Sequence, residues 1–144
     1  MIEQNHWPVL WAKCNDEAVK ESGKLGDVVY FMRAGGAGSQ KYCTLLWAGD
    51  QSVDFTIHDG LASVICGALS AGMMGCGLTL SDIGGYTSLF DNTRTKELFL
   101  RWAEMAMFTP FMRTHEGNRP DTNFQYFDDE DTMERLARLV DVYT

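Results

Sequence analysis

The spacing of apolar and polar residues predicts a helix and then a strand within the first 32 residues. Pro8 suits the first turn of a helix, and Asn5 or His6 could cap it. Apolar residues then recur at helical spacing as far as Gly23, which is typical of a helix end. Residues 27–32 are almost continuously apolar, the pattern of a strand that is buried on both faces of a parallel sheet.

The remaining pattern predicts five more elements. They are a strand at 42–47, a helix at 61–74, a strand at 78–80, a helix that Asp91 or Asn92 caps and that runs to Phe108, and a helix at 128–143. The helix at 61–74 is apolar on every side, so we expect it to pack closely against a sheet. The last two helices have predicted inner faces at Leu98, Phe99, Trp102, Met105 and Ala106, and at Met133, Leu136, Ala137, Val140 and Tyr143. The order α-β-β-α-β-α-α indicates an α/β fold.

The connection between the first two strands leaves their direction open. Only residues 34–41 join them, and this segment includes a glycine-rich loop. A parallel crossover normally needs a dozen or more residues. Either a single helical turn makes the crossing, or the two strands form an antiparallel hairpin.

Composition and charge narrow the classes of partner. The chain has 144 residues and a net charge of −8, with no cluster of Lys and Arg, which argues against nucleic acid and anionic membranes. We see no signal peptide, and the most apolar stretch, residues 61–74, is too short to span a bilayer. We therefore predict a cytoplasmic protein. Its four cysteines form no CxxC pair and are predicted to be buried free thiols.

Charged residues follow three successive predicted strands. Arg33, Asp50 and Asp82 stand at these strand ends, where α/β folds place catalytic groups. We expect them to form one rim. Each also has a simpler interpretation, since Arg33 could be a surface cation and the two acids could cap helices or stabilise turns. Residues 112–118, with His115, add a fourth polar cluster that could equally be a solvated loop.

Several chemistries fit the sequence poorly. A GxSxG nucleophile elbow and a GxxxxGK[ST] phosphate loop are both absent from it, and its three histidines are scattered, so we predict neither a metal site nor a cofactor. An acidic cleft lined with aromatic rings suits sugar, because rings stack on pyranose faces. Four rings could serve, although core packing is the default interpretation for each of them, namely Trp47, Tyr86, Phe90 and Trp102.

Four ordered motifs resemble one known family. They lie at Arg33, at 47–50, at 81–86 and at 111–120, and they are similar in order and spacing to the second half of the catalytic barrel of glycoside hydrolase family 31, the retaining α-glucosidases and their relatives. The resemblance extends over residues 6–144. Within the family it is strongest to the sulfoquinovosidase subgroup, because Ser81 and Tyr86 stand where ordinary α-glucosidases have His and often Phe.

This resemblance implies a role for six residues. An acid of the retaining mechanism must hold its proton near neutral pH until the leaving group departs. The implied roles are general acid/base for Asp50, binding of sugar hydroxyls for Arg33 and His115, an aromatic pocket wall for Trp47, organisation of the pocket floor for Asp82, and a place near the sugar's C6 sulfonate for Tyr86.

The resemblance also implies an incomplete barrel. A (β/α)8 TIM barrel needs about 250 residues, so we expect residues 1–144 to form a single partial catalytic-barrel domain, about strands five to seven with their helices. The nucleophile and the main sulfonate-reading residues would precede this segment in a longer glycosidase. The implied function is an α-sulfoquinovosidase that acts on a small-molecule glycoside, with the isolated segment inactive. A general α-glucosidase and an inert carbohydrate-binding fragment remain alternatives, and the oligomeric state is open.

Overall fold

Four helices and four short strands form the fold in a computed structural model that describes residues 6–43 and 45–144. The helices are α1 (Trp7–Glu21), α2 (Leu61–Met73), α3 (Lys96–Ala106) and α4 (Glu130–Tyr143). The strands are β1 (Leu45–Trp47), β2 (Leu78–Leu80), β3 (Asp82–Ile83) and β4 (Arg113–Thr114). Asn5, a predicted cap, and Thr44, within a predicted strand, lie outside the described residues.

The strands form two parallel pairs, β1 with β2 and β3 with β4. Leu45 lies opposite Leu78 in the β1–β2 pair, and Asp82 lies opposite Arg113 in the β3–β4 pair. Ser81 alone separates β2 from β3. Sequential parallel strands that alternate with helices form an arc of a βα barrel, whereas a doubly wound sheet reverses its strand order. The predicted strands at 42–47 and 78–80 correspond to β1 and β2, whereas β3 and β4 are additional.

The connection into β1 is a parallel crossing. Met32 forms a parallel bridge with Leu46, and a 3-10 helix, Ser39–Lys41, makes the turn between them. This confirms the first of the two alternatives for this connection. The predicted doubly buried strand at 27–32 is wrong, however, because within the described residues only Met32 of this run pairs. Val28, Val29 and Phe31 are exposed, since no described strand covers their outer side.

Helix α1 ends where the glycine predicts. The N–H of Gly23 donates to the Lys20 carbonyl and that of Lys24 to Val19, and Gly23 has a φ of +67°, so the helix closes with a Schellman motif. His6 occupies the N-cap position without a capping side-chain hydrogen bond, so its predicted role is wrong. The helix contacts the rest of the chain lightly. Its fully buried position is Ala12, and both of its tryptophans are exposed.

Helix α2 packs on one face. Val64 is buried against the core, whereas Ile65, Leu69 and Met73 are exposed, so the expected close packing around the helix is wrong. The sheet covers a single side of the helix, and within the described residues nothing covers the other. No described helix combines the length and apolarity needed to cross a membrane.

Helix α3 supplies most of the main core. Its cap is Thr95, whose hydroxyl oxygen accepts from the Leu98 N–H at 3.2 Å, rather than Asp91 or Asn92. The helix ends at Ala106, two residues before the predicted end at Phe108. The predicted inner face is confirmed, with Ala103 as an addition. The buried cluster consists of Val53, Val64, Ile83, Leu98, Phe99, Trp102, Ala103 and Ala106.

Helix α4 begins at its acidic cap, and its inner face matches the predicted one only in part. Asp129 accepts from the Thr132 N–H at 2.8 Å. The inward side chains are Thr132, which is buried, and Leu136 and Leu139, which pack on the main core. Three residues of the predicted stripe are exposed, namely Met133, Ala137 and Val140. Both stripes have helical spacing, and the docking on α3 selects between them.

The cysteines are free thiols, as predicted. Cys43 and Cys76 are buried. Cys14 and Cys66 are exposed, which contradicts the predicted burial, because the faces of α1 and α2 that carry them face outward.

Candidate active site

Charged side chains gather where the parallel strands end. Arg33 follows the bridging residue Met32, Asp50 comes three residues after β1, and Asp82 opens β3 directly opposite Arg113 of β4. The carboxyl ends of neighbouring parallel strands lie at one edge of a sheet. The predicted rim of Arg33, Asp50 and Asp82 is therefore present, with Arg113 as a fourth charged member.

Asp50 lies at the accessible part of this rim and pairs with Arg33. One guanidinium nitrogen of Arg33 lies 2.8 Å from Oδ2 of Asp50, and the two side chains are 65% and 30% exposed. Gly49, with a φ of +103°, makes the turn that carries the chain from β1 to this acid. An exposed ion pair contributes only about 0–1 kcal/mol to stability. Its relevance is therefore that it places an accessible acid and a cation together at the rim.

Backbone hydrogen bonds fix the Asp50 segment to the segment that carries Tyr86. The carbonyl of Gln51 accepts from the N–H groups of Tyr86 at 2.9 Å and Thr87 at 2.8 Å. The Thr87 hydroxyl donates to the backbone carbonyl of Asp50 at 2.8 Å. Asp50 and Tyr86, 36 positions apart in the numbering, are thus held in a defined relative position.

Trp47 forms an aromatic wall beside the charged residues. Its indole is half-buried, and the guanidinium carbon of Arg33 lies 4.9 Å from the ring centre. The guanidinium carbon of Arg113 lies 5.9 Å from the same ring. Cations at these distances are attracted by the ring quadrupole. Trp47 therefore links the exposed pair, Arg33 and Asp50, to the buried part of the site.

Asp82 is the buried acid of the site. Its side chain is fully buried and forms an ion pair with Arg113, and burial raises its pKa, while Arg113, His115 and the Trp47 indole act in the opposite direction. The negative charge of Asp50 adds a small further rise. The Trp47 N–H is close enough to favour the carboxylate, although no hydrogen bond of normal geometry forms. Among the described residues, that N–H and Oδ2 of Asp82 both lack a partner.

Tyr86 and His115 meet at the opposite side of the site. Their rings are T-shaped, with centres 5.1 Å apart. Nδ1 of His115 accepts a hydrogen bond from the Gly117 N–H at 2.9 Å. A neutral imidazole that accepts at Nδ1 carries its proton on Nε2, so His115 offers a donor to whatever occupies the site.

Arg94 is a residue of this region that the sequence did not reveal. It is 2% exposed, and its guanidinium donates to backbone carbonyls that include those of Gly85 at 3.2 Å and His115 at 2.7 Å. Burial lowers its pKa to about 10, while Asp82 and Asp128 act in the opposite direction, so Arg94 is charged at neutral pH. It lies in a polar run, residues 91–96, which is typical of an exposed loop.

Two of the aromatic candidates lie away from a sugar-binding position. Trp102 is fully buried, and its indole N–H donates to the hydroxyl of Ser81 at 2.9 Å, so the core alternative is the right one for this residue. Phe90 is 88% exposed on a loop tip with a φ of +52°. Among the described residues, no three His, Cys, Asp or Glu side chains are grouped so that they could hold a metal ion.

The chain matches the TIM-barrel domain of glycosyl hydrolases family 31 over residues 3–140. It belongs to glycoside hydrolase family 31. The resemblance that the four motifs indicated is therefore confirmed, and the parallel strand arc is part of this family's barrel.

Relatives with more than half of the aligned residues identical include two sulfoquinovosidases. The chain is 59% identical to a sulfoquinovosidase of Escherichia coli (strain K12) and 58% identical to one of Agrobacterium fabrum, in each case over 99% of the chain and 21% of the relative. A solved structure, a family 31 sulfoquinovosidase from E. rectale in complex with the aza-sugar inhibitor IFGSQ, is 97% identical with a TM-score of 0.95, over 99% of this chain and 21% of that one. The chain thus spans about a fifth of the length of these proteins.

Proposed function

We propose that the chain is the segment of a retaining α-glycoside hydrolase that carries the general acid/base, Asp50, and part of the sugar-binding pocket. The observation that carries this proposal is the contrast between the two acids of the rim. Asp50 is accessible, whereas Asp82 is fully buried and paired with Arg113. A residue that exchanges a proton with a glycosidic oxygen and then with water must be reachable by both.

The second carboxylate of the mechanism comes, in this proposal, from outside the described residues. Retaining hydrolases place the nucleophile about 5–5.5 Å from the acid/base. Asp82 is the other acid at the rim, but its burial and its ion pair with Arg113 leave it unable to attack an anomeric carbon. Residues 1–144 then act as one partial barrel domain of a longer enzyme, and its cytoplasmic location remains a prediction.

The proposed substrate is an α-sulfoquinovoside. The subgroup similarity supports this substrate class, and the geometry supports the sharing of roles around it. Arg33 is exposed and would exchange its contact with Asp50 for sugar hydroxyls, which frees the acid to face the leaving oxygen. Trp47 would form the pocket wall and Asp82 its floor. His115 would donate from Nε2, and Tyr86 would donate its hydroxyl towards the sulfonate end.

A chimera tests this proposal on a complete barrel. In it, the present chain replaces the segment that it matches in the 97% identical sulfoquinovosidase. We expect the chimera to hydrolyse aryl α-sulfoquinovosides and to prefer them to aryl α-glucosides. Tyr86→Phe removes one donor to a charged group and should reduce this preference by about 10–100-fold. The measurement is the ratio of kcat/KM values for the two substrates.

Tyr42→Phe is the matched control for this experiment. Tyr42 packs on the cluster around Ala12, which does not include Tyr86, and its substitution should leave the substrate ratio unchanged. Equal rates on both substrates, or a preference for the glucoside, would support an α-glucosidase instead. Sugar binding without any turnover would support a non-catalytic carbohydrate-binding role and contradict the proposal.

A further inference from the structure

We propose that Arg94 is a positioning residue that holds the loop carrying Tyr86 against the loop carrying His115 and thereby shapes the sugar-binding pocket. This inference rests on the proposed function for its effect on catalysis. Arg94 lies at the end of neither β3 nor β4, the strands that lead into the two loops. It stands two residues before α3.

The first loop is held through two carbonyls. Nη1 of Arg94 donates to the carbonyl of Ile83 at 3.4 Å and to that of Gly85 at 3.2 Å. These residues stand between Asp82 and Tyr86 in the chain. Gly84, between them, has a φ of +88°, and a Cβ at this position would overlap Cδ of Arg94. The backbone of this loop therefore packs directly against the Arg94 side chain.

The second loop is held by the same guanidinium. Nη1 donates to the carbonyl of His115 at 2.7 Å, and Nη2 donates to that of Glu116 at 3.2 Å. Further bonds fix the guanidinium from the other side, with Nε donating to the Phe124 carbonyl at 2.8 Å and Nη2 to Oε1 of Gln125 at 2.9 Å. One side chain thus joins both loops to a third segment.

The chemistry of the acceptors explains why an arginine stands here. All of them are neutral oxygens, and they converge on a planar group from several directions. The guanidinium has five N–H donors in a fixed fork, whereas an ammonium has three around one atom. A lysine at position 94 would keep the charge but leave buried carbonyls without a partner, which is unfavourable.

The functional consequence follows from the ring contact between the loops. The rings of Tyr86 and His115, one from each loop, pack edge to face with centres 5.1 Å apart. Both residues belong to the proposed pocket. A second link, from the Asn118 N–H to the Tyr86 carbonyl at 3.0 Å, joins the same loops. Loss of Arg94 should therefore loosen the pair without separating the loops completely. Asp50 should be affected less, because the hydrogen bonds that fix its segment through the Asp50 and Gln51 carbonyls do not involve Arg94.

The test uses Arg94→Lys in the chimera, with Arg101→Lys as the matched control. Arg101 is an exposed residue of α3 that pairs with Glu104. We expect Arg94→Lys to raise KM for an aryl α-sulfoquinovoside about tenfold or more and to change kcat by less than about threefold, because the displaced pocket groups bind the sugar in the ground state and in the transition state alike. A general packing defect would instead lower kcat through loss of folded enzyme and leave KM unchanged, which would overturn the inference.

A double-mutant cycle tests whether Arg94 acts through the pocket residues. In a His115→Ala background, Arg94→Lys should cost much less than in the parent, because the residue that it positions is already removed. Equal costs in the two backgrounds would overturn the inference. Should Arg94→Lys fail to fold, Gln125→Met replaces it. This change removes one acceptor of Arg94 together with the bonds that Nε2 of Gln125 donates to the carbonyls of Glu116 at 3.0 Å and Pro120 at 3.2 Å. It should raise KM about twofold or more, and an unchanged KM would count against the role.

Crystal structures separate this inference from the proposed function. The distance between the Tyr86 and His115 ring centres should exceed 5.1 Å in the Arg94→Lys variant and stay the same in Arg101→Lys. This readout needs no turnover, so it stands even if the chimera proves inactive on sulfoquinovosides. Unchanged ring positions in Arg94→Lys would refute the positioning role, whatever the activity.

Discussion

Asp50→Asn should lower kcat/KM of the chimera by about 10²–10⁴-fold for glycosides with poor leaving groups, the usual contribution of a general acid. An activated aryl glycoside, whose leaving group departs without a proton, should lose far less in its glycosylation step. The reason is that Asn keeps the shape of the side chain but cannot donate the proton. The measurement is kcat/KM across a series of aryl α-sulfoquinovosides of different leaving-group pKa.

Asp141→Asn is the control for that series. Asp141 is an exposed acid of α4, far along the chain from the site, and its substitution should leave every substrate unaffected. A loss for Asp50→Asn that is equal across all leaving groups would indicate a binding role for Asp50 and would contradict its assignment as the acid.

Asp82→Asn should reduce activity by about 10²-fold, because it disturbs the positions of Arg113 and Trp47. Oδ1 of Asp82 pairs with the Arg113 guanidinium, and the Trp47 N–H lies near enough to favour the carboxylate. An amide has one acceptor oxygen, and its NH2 group would face a donor on the other side. kcat/KM with an aryl α-sulfoquinovoside measures this loss.

The free energy of unfolding of Asp82→Asn should depend on pH differently from that of the parent. Burial raises the pKa of Asp82 above its ordinary value of 3.8. As pH rises above that value, the unfolded chain releases the proton before the folded chain does, so the carboxyl group reduces the free energy of unfolding until its folded-state pKa is passed. The asparagine variant lacks this loss. The stability of Asp82→Asn relative to the parent should therefore increase as the pH rises from about 4 to about 7.

Thermal unfolding of the parent chimera and of Asp82→Asn at both pH values checks this course. Subtraction of the two curves removes the contribution of all other titrating groups. A variant whose stability deficit grows with pH would show that the Arg113 attraction exceeds the cost of burial, which is opposite to our expectation.

Local patterns predicted the parts of the fold that depend on neighbouring residues. Gly23 ends α1 because only a residue that tolerates positive φ closes a Schellman motif. The inner face of α3, around Phe99 and Trp102, followed from helical spacing. The rim of Arg33 and Asp50 followed from the rule that parallel strands end at one edge, and their 2.8 Å contact agrees with it.

Features that depend on tertiary packing could not be predicted from the sequence. The face of α4 was misassigned in part because two overlapping stripes have the same spacing, and only docking on α3 distinguishes Leu139 from Val140. The run at 27–32 has strand composition, but within the described residues it has a neighbour only at Met32. Arg94 was missed because its acceptors are backbone carbonyls from distant segments, and these have no sequence signature.

Trapping of the glycosyl-enzyme in the Asp50→Asn chimera tests most directly whether Asp50 is the acid/base and the nucleophile lies on another segment. With α-sulfoquinovosyl fluoride, fluoride leaves without protonation and a carboxylate attacks the anomeric carbon, but the adduct should accumulate because Asp50 no longer activates water. Peptide mass spectrometry then locates the sugar. We expect it on a carboxylate outside the 144 residues of this chain. A sugar on Asp82, or rapid turnover with no adduct, would contradict the assignment of Asp50 as the acid/base and of the nucleophile to another segment.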